Sequence, residues 1–172
     1  MTSVVLIHVG DFRENYFREA EAEYKKRLQK YCTYRTVCIA EERVPDENNP
    51  THIKRALEKE AEKIRAAIPA HHTKIALCVE GKQLSSEGLA KLMGEKTLEG
   101  GLCFIIGSSH GLDESLKKEC PVKLSFSAMT FPHRIARILL AEQVYRGFTI
   151  LAGSGYHNYN CIKTLPSRPY YG

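Results

Sequence analysis

Five short segments with strand character, each followed by a segment with helical periodicity, constrain the fold of this chain more than any other feature. Most are continuous apolar runs, which are typical of strands buried on both faces of a parallel sheet, and the second is rich in β-branched residues. We predict strands at residues 4–9, 34–40, 74–79, 102–106 and 122–127. Because strands and helices alternate throughout, the sequence predicts an α/β fold with a mostly parallel sheet and helices on both faces.

The length of 172 residues fits a single domain. No apolar run approaches the roughly 18 residues that a membrane-spanning helix needs, so we expect no membrane partner. The first apolar run is followed by Asp11, Arg13 and Glu14 instead of a small-residue cleavage site, which argues against a secretory signal. We therefore expect a cytoplasmic protein.

The positive charge lies in the last third of the chain. Residues 122–172 hold six basic side chains and one acid, which accounts for the whole net charge of +5. Such asymmetry favours a polyanionic partner such as a nucleic acid. On charge alone, an equally good interpretation is that the excess charge simply keeps the domain soluble.

The last predicted helix, residues 132–150, is apolar around almost its whole circumference. A helix of this kind must be covered on more than one side, and a small five-stranded domain is expected to cover only one. We predict that a second copy of the chain supplies the rest of the cover in a homodimer. The alternative is a helix that is buried entirely within its own chain.

Three loops at the carboxyl ends of predicted strands are the candidate ligand site, because ligands bind there in open parallel sheets. They span residues 77–81, 105–111 and 124–133. The glycine loop at 107–111 is neither a Walker loop nor a dinucleotide fingerprint, so by itself it predicts only a turn. The widely spaced cysteines form no zinc-ligand pattern, and we expect no metal.

A second group of chemically active side chains lies near the C-terminus. Arg146, Tyr156 and His157 would bring a guanidinium, a phenol and an imidazole into one basic region. An imidazole titrates near neutral pH and can accept a proton or bind phosphate. The alternative is that these are ordinary solvated surface residues.

Taken in order, these motifs resemble a known family. The matching segments are residues 77–81, 84–90, 104–107, 124–133, 142–146 and 156–157, and LSFSAMTFPH at 124–133 is the most specific of them. The pattern is similar to the methyltransferase H family of bacterial ribosomal RNA large-subunit methyltransferases, which belongs to the SPOUT class. The resemblance covers about residues 3–157.

The resemblance implies a fold and an assembly. It implies one SPOUT-type domain over residues 1–157, a C-terminal trefoil knot and a homodimer. Residues 158–172 then form a C-terminal extension, which is a natural segment, a cloning remnant or a flap over the active site.

The resemblance also implies an activity: transfer of a methyl group from S-adenosyl-L-methionine, without a metal, to N3 of a pseudouridine in 23S rRNA of the assembled ribosome. The residues expected to hold the cofactor are Leu77, Gly107, Phe126, Ser127, Ala128, Met129, Thr130 and Phe131. His157, with Tyr156 and Arg146, is expected to be catalytic, and His133, Arg137 and Arg146 are expected to contact the RNA.

One residue departs from the family pattern. Ser108 stands where the family usually has a second glycine, so it either restricts the loop or adds a hydroxyl near the cofactor. The competing hypothesis is a noncatalytic RNA- or ribosome-binding protein that keeps the fold. A phosphoryl-transfer enzyme is a weaker alternative, because the glycine loop lacks the lysine and paired carboxylates of that chemistry.

Overall fold

The computed structural model describes residues 1–154 and forms five strands in strict alternation with five helices. The predicted alternation is confirmed. The elements are β1 (Thr2–Val9), α1 (Asn15–Leu28), β2 (Cys32–Ile39), α2 (Pro50–Ala67), β3 (His72–Gln83), α3 (Ser86–Glu99), β4 (Gly101–Ile106), α4 (Glu114–Glu119), β5 (Val122–Ser125) and α5 (His133–Leu151).

The five strands form one sheet in the order β2-β1-β4-β3-β5, and every neighbouring pair is parallel. Every residue of the central strand β4 is buried, as its unbroken apolar run predicts. All the strands point the same way, so the loops that follow β3, β4 and β5 leave one edge of the sheet together. This shared edge positions the candidate site.

The two faces of the sheet are covered by different helices. On one face, Val4 and Leu6 pack with buried side chains of α1, α3 and α5, among them Leu28, Met93 and Leu140. On the other face, Val5 and Ile7 pack with buried side chains of α2 and α4. Because successive side chains of a strand alternate between the two faces, one apolar run can serve both cores. Helices on both faces are thus confirmed.

Strand β3 is longer than its apolar run predicts. It continues to Gln83, and Leu77 and Lys82 both pair with Leu124 across a register shift. The predicted strand ends at residue 79, yet Gly81 lies so close to β5 that a Cβ atom there would be 2.6 Å from the carbonyl carbon of Leu124. The irregularity leaves residues 78–81 unpaired with β5, beside the candidate site.

Helix α5 lies between α1 and α3 instead of resting on a single surface. The ring of Phe148 stacks on Tyr31, with centroids 6.2 Å apart, and Gly147 allows a close approach to Met93 of α3. The chain itself therefore covers more than one side of α5, and the expectation that it could cover only one is wrong. Ile135 remains 39% exposed at the N-terminal end of the helix. The homodimer stays a prediction.

Within residues 1–154, no helix combines the length and the hydropathy that crossing a membrane requires.

Candidate active site

A cleft of about 1210 Å³ lies at the carboxyl ends of β3, β4 and β5. The three loops that the sequence predicts as the ligand site all contribute residues to its lining. The predicted cofactor residues that line the cleft are Leu77, Gly107, Phe126, Ser127, Met129, Thr130 and Phe131. Ala128 belongs to the same loop but is not part of the lining. Ligand clefts commonly have volumes of roughly 300 to 1,000 Å³, so this one is large enough for a nucleoside-sized ligand.

The first half of α2 forms part of the cleft wall, which the sequence analysis missed. Pro50, Ile53, Lys54 and Leu57 line it. Their spacing indicates only an amphipathic helix, and no catalytic or binding motif marks them. Only the crossover that brings α2 over the sheet places these side chains at the site.

The glycine loop after β4 is a closed turn. The amide of Gly111 donates to the carbonyl of Ser108 at 3.0 Å, and Gly111 has a positive φ of 89°. A Cβ atom on Gly107 would overlap the carbonyl oxygen of Gly111. Glycine is thus required at position 107 for the turn to close, and the backbone at the cleft wall is held in one conformation.

The hydroxyl of Ser108 is bonded to a buried carboxylate. Its Oγ donates to Oε2 of Glu60 at 3.1 Å, and the backbone N–H of Glu42 donates to Oε1 of Glu60 at 2.9 Å. Glu60 is only 3% exposed. Burial raises the pKa of Glu60, and the charges of Glu41 and Glu42 raise it further, although both hydrogen bonds lower it.

Serine side chains also shape the loop after β5. The hydroxyl of Ser125 donates to the carbonyl of Ser127 at 3.0 Å. The hydroxyl of Ser127 in turn accepts the backbone N–H of Met129 at 3.0 Å. These local bonds replace the sheet hydrogen bonds that end with β5, and they leave Met129 and Phe131 exposed beside the cleft.

Charged groups at the opposite corner of the cleft neutralise one another. The ammonium of Lys117 forms ion pairs with Glu80 and Glu114. The hydrogen bond from Lys117 holds the pKa of Glu80 below its usual range. In the part of the chain from Met1 to Ser154, no group of three His, Cys, Asp or Glu side chains is arranged to hold a metal ion.

His133 lies on the cleft wall at the first residue of α5, and its contact with RNA stays a prediction. Burial lowers its pKa, and the charge of Arg134 also lowers it, whereas Glu41 raises it. The imidazole is therefore mostly neutral near pH 7. Arg134 lines the cleft too, and its guanidinium bonds Glu14 at 3.1 Å.

Arg137 does not occupy the position expected of a phosphate contact. It is 6% exposed, and its Nε and Nη2 atoms donate to the Glu21 carboxylate at 2.5 Å and 2.8 Å. Its guanidinium also lies 3.9 Å from the centroid of the Phe12 ring. Burial raises the pKa of Glu21, but the bonds and charge of Arg137 outweigh burial and lower it. The charge of Arg137 is therefore used to hold α5 against α1.

Arg146 is likewise enclosed in the fold. It is 6% exposed, and its Nη2 atom lies 2.6 Å from Oε1 of Glu142, one turn earlier in α5. Direct contact with RNA would require the guanidinium to become more exposed than it is in this structure. Tyr156 and His157 lie outside the described residues. Their roles, and that of Arg146, stay predictions.

The buried imidazole of His8 predicts acid sensitivity. Burial and the charge of Arg137 lower the pKa of His8 from 6.5 to about 4. Between these two values the unfolded chain binds the proton and the folded chain does not, so stability falls as the pH decreases. We expect the free energy of unfolding to fall by about 3 kcal/mol between pH 7 and pH 4 through this group alone. Urea titrations of the wild type and of His8→Leu measure it, and equal pH dependences in the two proteins would contradict it.

The similarity of the chain to known proteins agrees with this geometry. Residues 2–157 match the family described as "Predicted SPOUT methyltransferase". The chain is 40% identical over 156 residues to "Ribosomal RNA large subunit methyltransferase H" of Streptococcus equi subsp. zooepidemicus, which covers 90% of this chain and 98% of that protein. It is 43% identical over 155 residues to the protein of the same name from Caldicellulosiruptor saccharolyticus, covering 90% and 99%.

Two solved structures share the fold at low sequence identity. A probable methylase family protein from Haemophilus influenzae Rd KW20 aligns with a TM-score of 0.56 and 14% identity, covering 90% of this chain and 69% of that one. A probable methyltransferase from Bordetella pertussis Tohama I aligns with a TM-score of 0.55 and 18% identity, covering 86% and 96%. Since the family match spans nearly all of the described residues, the chain belongs to the SPOUT methyltransferase family.

Proposed function

We propose that this protein methylates N3 of a pseudouridine in 23S rRNA of the assembled ribosome, with S-adenosyl-L-methionine as the methyl donor. The observation that carries the proposal is the convergence of the loops after β3, β4 and β5 on one cleft. The curated relatives bear the name of a methyltransferase of large-subunit ribosomal RNA, which supports this class of substrate.

The residues of the cleft fit the proposed methyl donor. Phe126, Met129 and Phe131 offer apolar surface for a flat ring, and the closed turn at Gly107 brings backbone groups to the wall. Leu77 and the loop after β5 would hold the adenosine part between them. When bound, S-adenosylmethionine supplies a methyl group on a positively charged sulfur, which needs no further activation by a metal.

The task left to the chain is to align the target base and to remove its proton. N3 of the base must lose its hydrogen as the methyl bond forms, and a neutral imidazole can accept it. We assign this role to His157, directly or through a water, with Tyr156 beside it. His133, which is mostly neutral near pH 7 and faces the cleft, is proposed to contact the RNA.

The role that we propose for Arg137 of α5 differs from the one predicted from the sequence, whereas the role of Arg146 does not. Arg137 is assigned to holding the fold, because Glu21 occupies its guanidinium. Arg146 is proposed to stabilise charge developing on the base, with Glu142 orienting its guanidinium.

We also propose a trefoil knot in the C-terminal part, a homodimer and a cytoplasmic location. The knot rests on the resemblance to the SPOUT methyltransferase family, whose model matches residues 2–157. The homodimer rests on the same resemblance, and Ile135, which is 39% exposed at the N-terminal end of α5, is proposed to be one of its contacts.

The test is methylation of ribosomes whose 23S rRNA lacks the modification, followed by nuclease digestion and mass spectrometry. We expect one added methyl group, located on a pseudouridine. His157→Ala is expected to lower the rate on the order of 100-fold or more, the usual contribution of a general base, without changing cofactor affinity. Ribosome binding without measurable affinity for S-adenosylmethionine would favour a noncatalytic RNA-binding protein instead.

A further inference from the structure

We propose that Glu60 is a positioning residue for the cofactor cleft, and that its buried carboxylate holds the Gly107–Gly111 turn in place through Ser108. The identity of the ligand rests on the proposed function, whereas the hold on the turn rests on the geometry alone. Glu60 does not line the cleft, so it acts through another residue.

The carboxylate of Glu60 joins three parts of the chain behind the cleft wall. Glu60 lies on α2, Glu42 follows β2, and Ser108 follows β4. One carboxylate oxygen accepts the N–H of Glu42 at 2.9 Å, and the other accepts the hydroxyl of Ser108 at 3.1 Å. Because Ser108 is next to Gly107, this hydrogen bond connects the backbone of the cleft wall to α2.

The environment of Glu60 is unfavourable for a carboxyl group, and an apolar side chain would fill the same space at lower cost. Glu60 is 3% exposed, and within residues 1–154 no lysine or arginine forms an ion pair with it. Glu41 and Glu42 place further negative charge nearby. A buried carboxyl group is costly unless its hydrogen bonds are made, and such a cost is typical of groups that fix a functional geometry.

Glutamine at position 60 can reproduce both contacts. Its carbonyl oxygen can accept the N–H of Glu42, and its amide nitrogen can donate to the hydroxyl of Ser108. Alanine can make neither bond. Ser108→Ala keeps Glu60 and removes the connection to the turn together with a hydroxyl of the cleft lining, whereas Glu60→Ala removes the connection and leaves the lining intact. Glu62→Ala is the matched control, since Glu62 is an exposed carboxylate on the same helix.

The experiment measures the affinity for S-adenosylmethionine by calorimetry in the full chain. We expect Glu60→Ala and Ser108→Ala each to weaken binding about tenfold, the effect of one hydrogen bond to a charged group, and Glu60→Gln to stay within about threefold of the wild type. The double variant Glu60→Ala/Ser108→Ala should bind no more weakly than Glu60→Ala, because both changes break the same connection. Glu62→Ala should leave the affinity unchanged.

Amide hydrogen exchange without ligand provides the second readout. We expect faster exchange at residues 107–112 in Glu60→Ala and Ser108→Ala, but not in Glu62→Ala. If Glu60→Ala does not fold, Glu60→Gln and Ser108→Ala carry the test. Any of three results would overturn the proposal. They are an unchanged affinity in Ser108→Ala, additive losses of affinity in the double variant, and a Glu60→Gln variant that binds the ligand as weakly as Glu60→Ala does. A wild type that does not bind the ligand overturns the proposed function instead, while the exchange measurement still tests the hold on the turn.

Discussion

Gly107→Ala is expected to lower the affinity for S-adenosylmethionine on the order of 100-fold or more, since a misplacement of about 1 Å at a binding site has effects of this size. The added Cβ atom would overlap the carbonyl oxygen of Gly111, so the turn cannot keep its shape. Calorimetric titration with the ligand measures the loss, and circular dichroism checks that the variant is folded.

Gly88→Ala is the control for the Gly107 variant. A Cβ atom on Gly88 would be 3.4 Å from Oγ of Ser85, an ordinary contact, and the residue lies in the first turn of α3. We expect unchanged affinity and a gain in stability of up to about 1 kcal/mol from the higher helix propensity of alanine. Normal ligand binding by Gly107→Ala would mean that the turn is not part of the cofactor site.

Arg137→Met is expected to lower the free energy of unfolding by about 3 kcal/mol, the low end of the cost of breaking a buried ion pair, because the change removes the cation that donates two hydrogen bonds to a buried carboxylate, while Lys25 still pairs with it. Glu21 is 5% exposed and takes two hydrogen bonds from Arg137, and Lys25 is the other cation that bonds it. The variant also loses the contact between the guanidinium and Phe12. Urea denaturation at pH 7 measures the change.

The double variant Glu21→Leu/Arg137→Met separates a lost ion pair from lost packing. Replacing both partners of a buried pair with apolar side chains is often close to neutral, so most of the stability should return. Lys91→Ala, which removes an exposed partner of Glu95, is expected to change stability by less than about 0.5 kcal/mol. A stable Arg137→Met protein that binds ribosomes poorly would instead support the phosphate contact that the sequence suggested.

The elements of this fold could be predicted because their signals are local. The apolar run of β4 and the amphipathic pattern of α2 depend only on residues that are close in sequence. The end of β3 could not be predicted in the same way. Its extension past Gly81 depends on the backbone of Leu124, which lies more than forty residues away.

The candidate site shows the same division between local and distant information. Strand direction places the ends of β3, β4 and β5 at one edge, so the sequence could nominate three loops that share a cleft. It could not show that α2 supplies part of the wall, because amphipathic spacing does not reveal what a helix packs against.

By itself, the amino-acid sequence determined the alternation of strands and helices, the family and the loops that line the cleft, since periodicity and motifs are properties of neighbouring residues. The tertiary structure alone decided what the charged and polar side chains do. Arg137, which by its charge is a candidate for phosphate, is bound by Glu21 from another helix, and Ser108 donates to Glu60. The physical reason is that the role of a charge depends on its partner and its burial, and folding sets both.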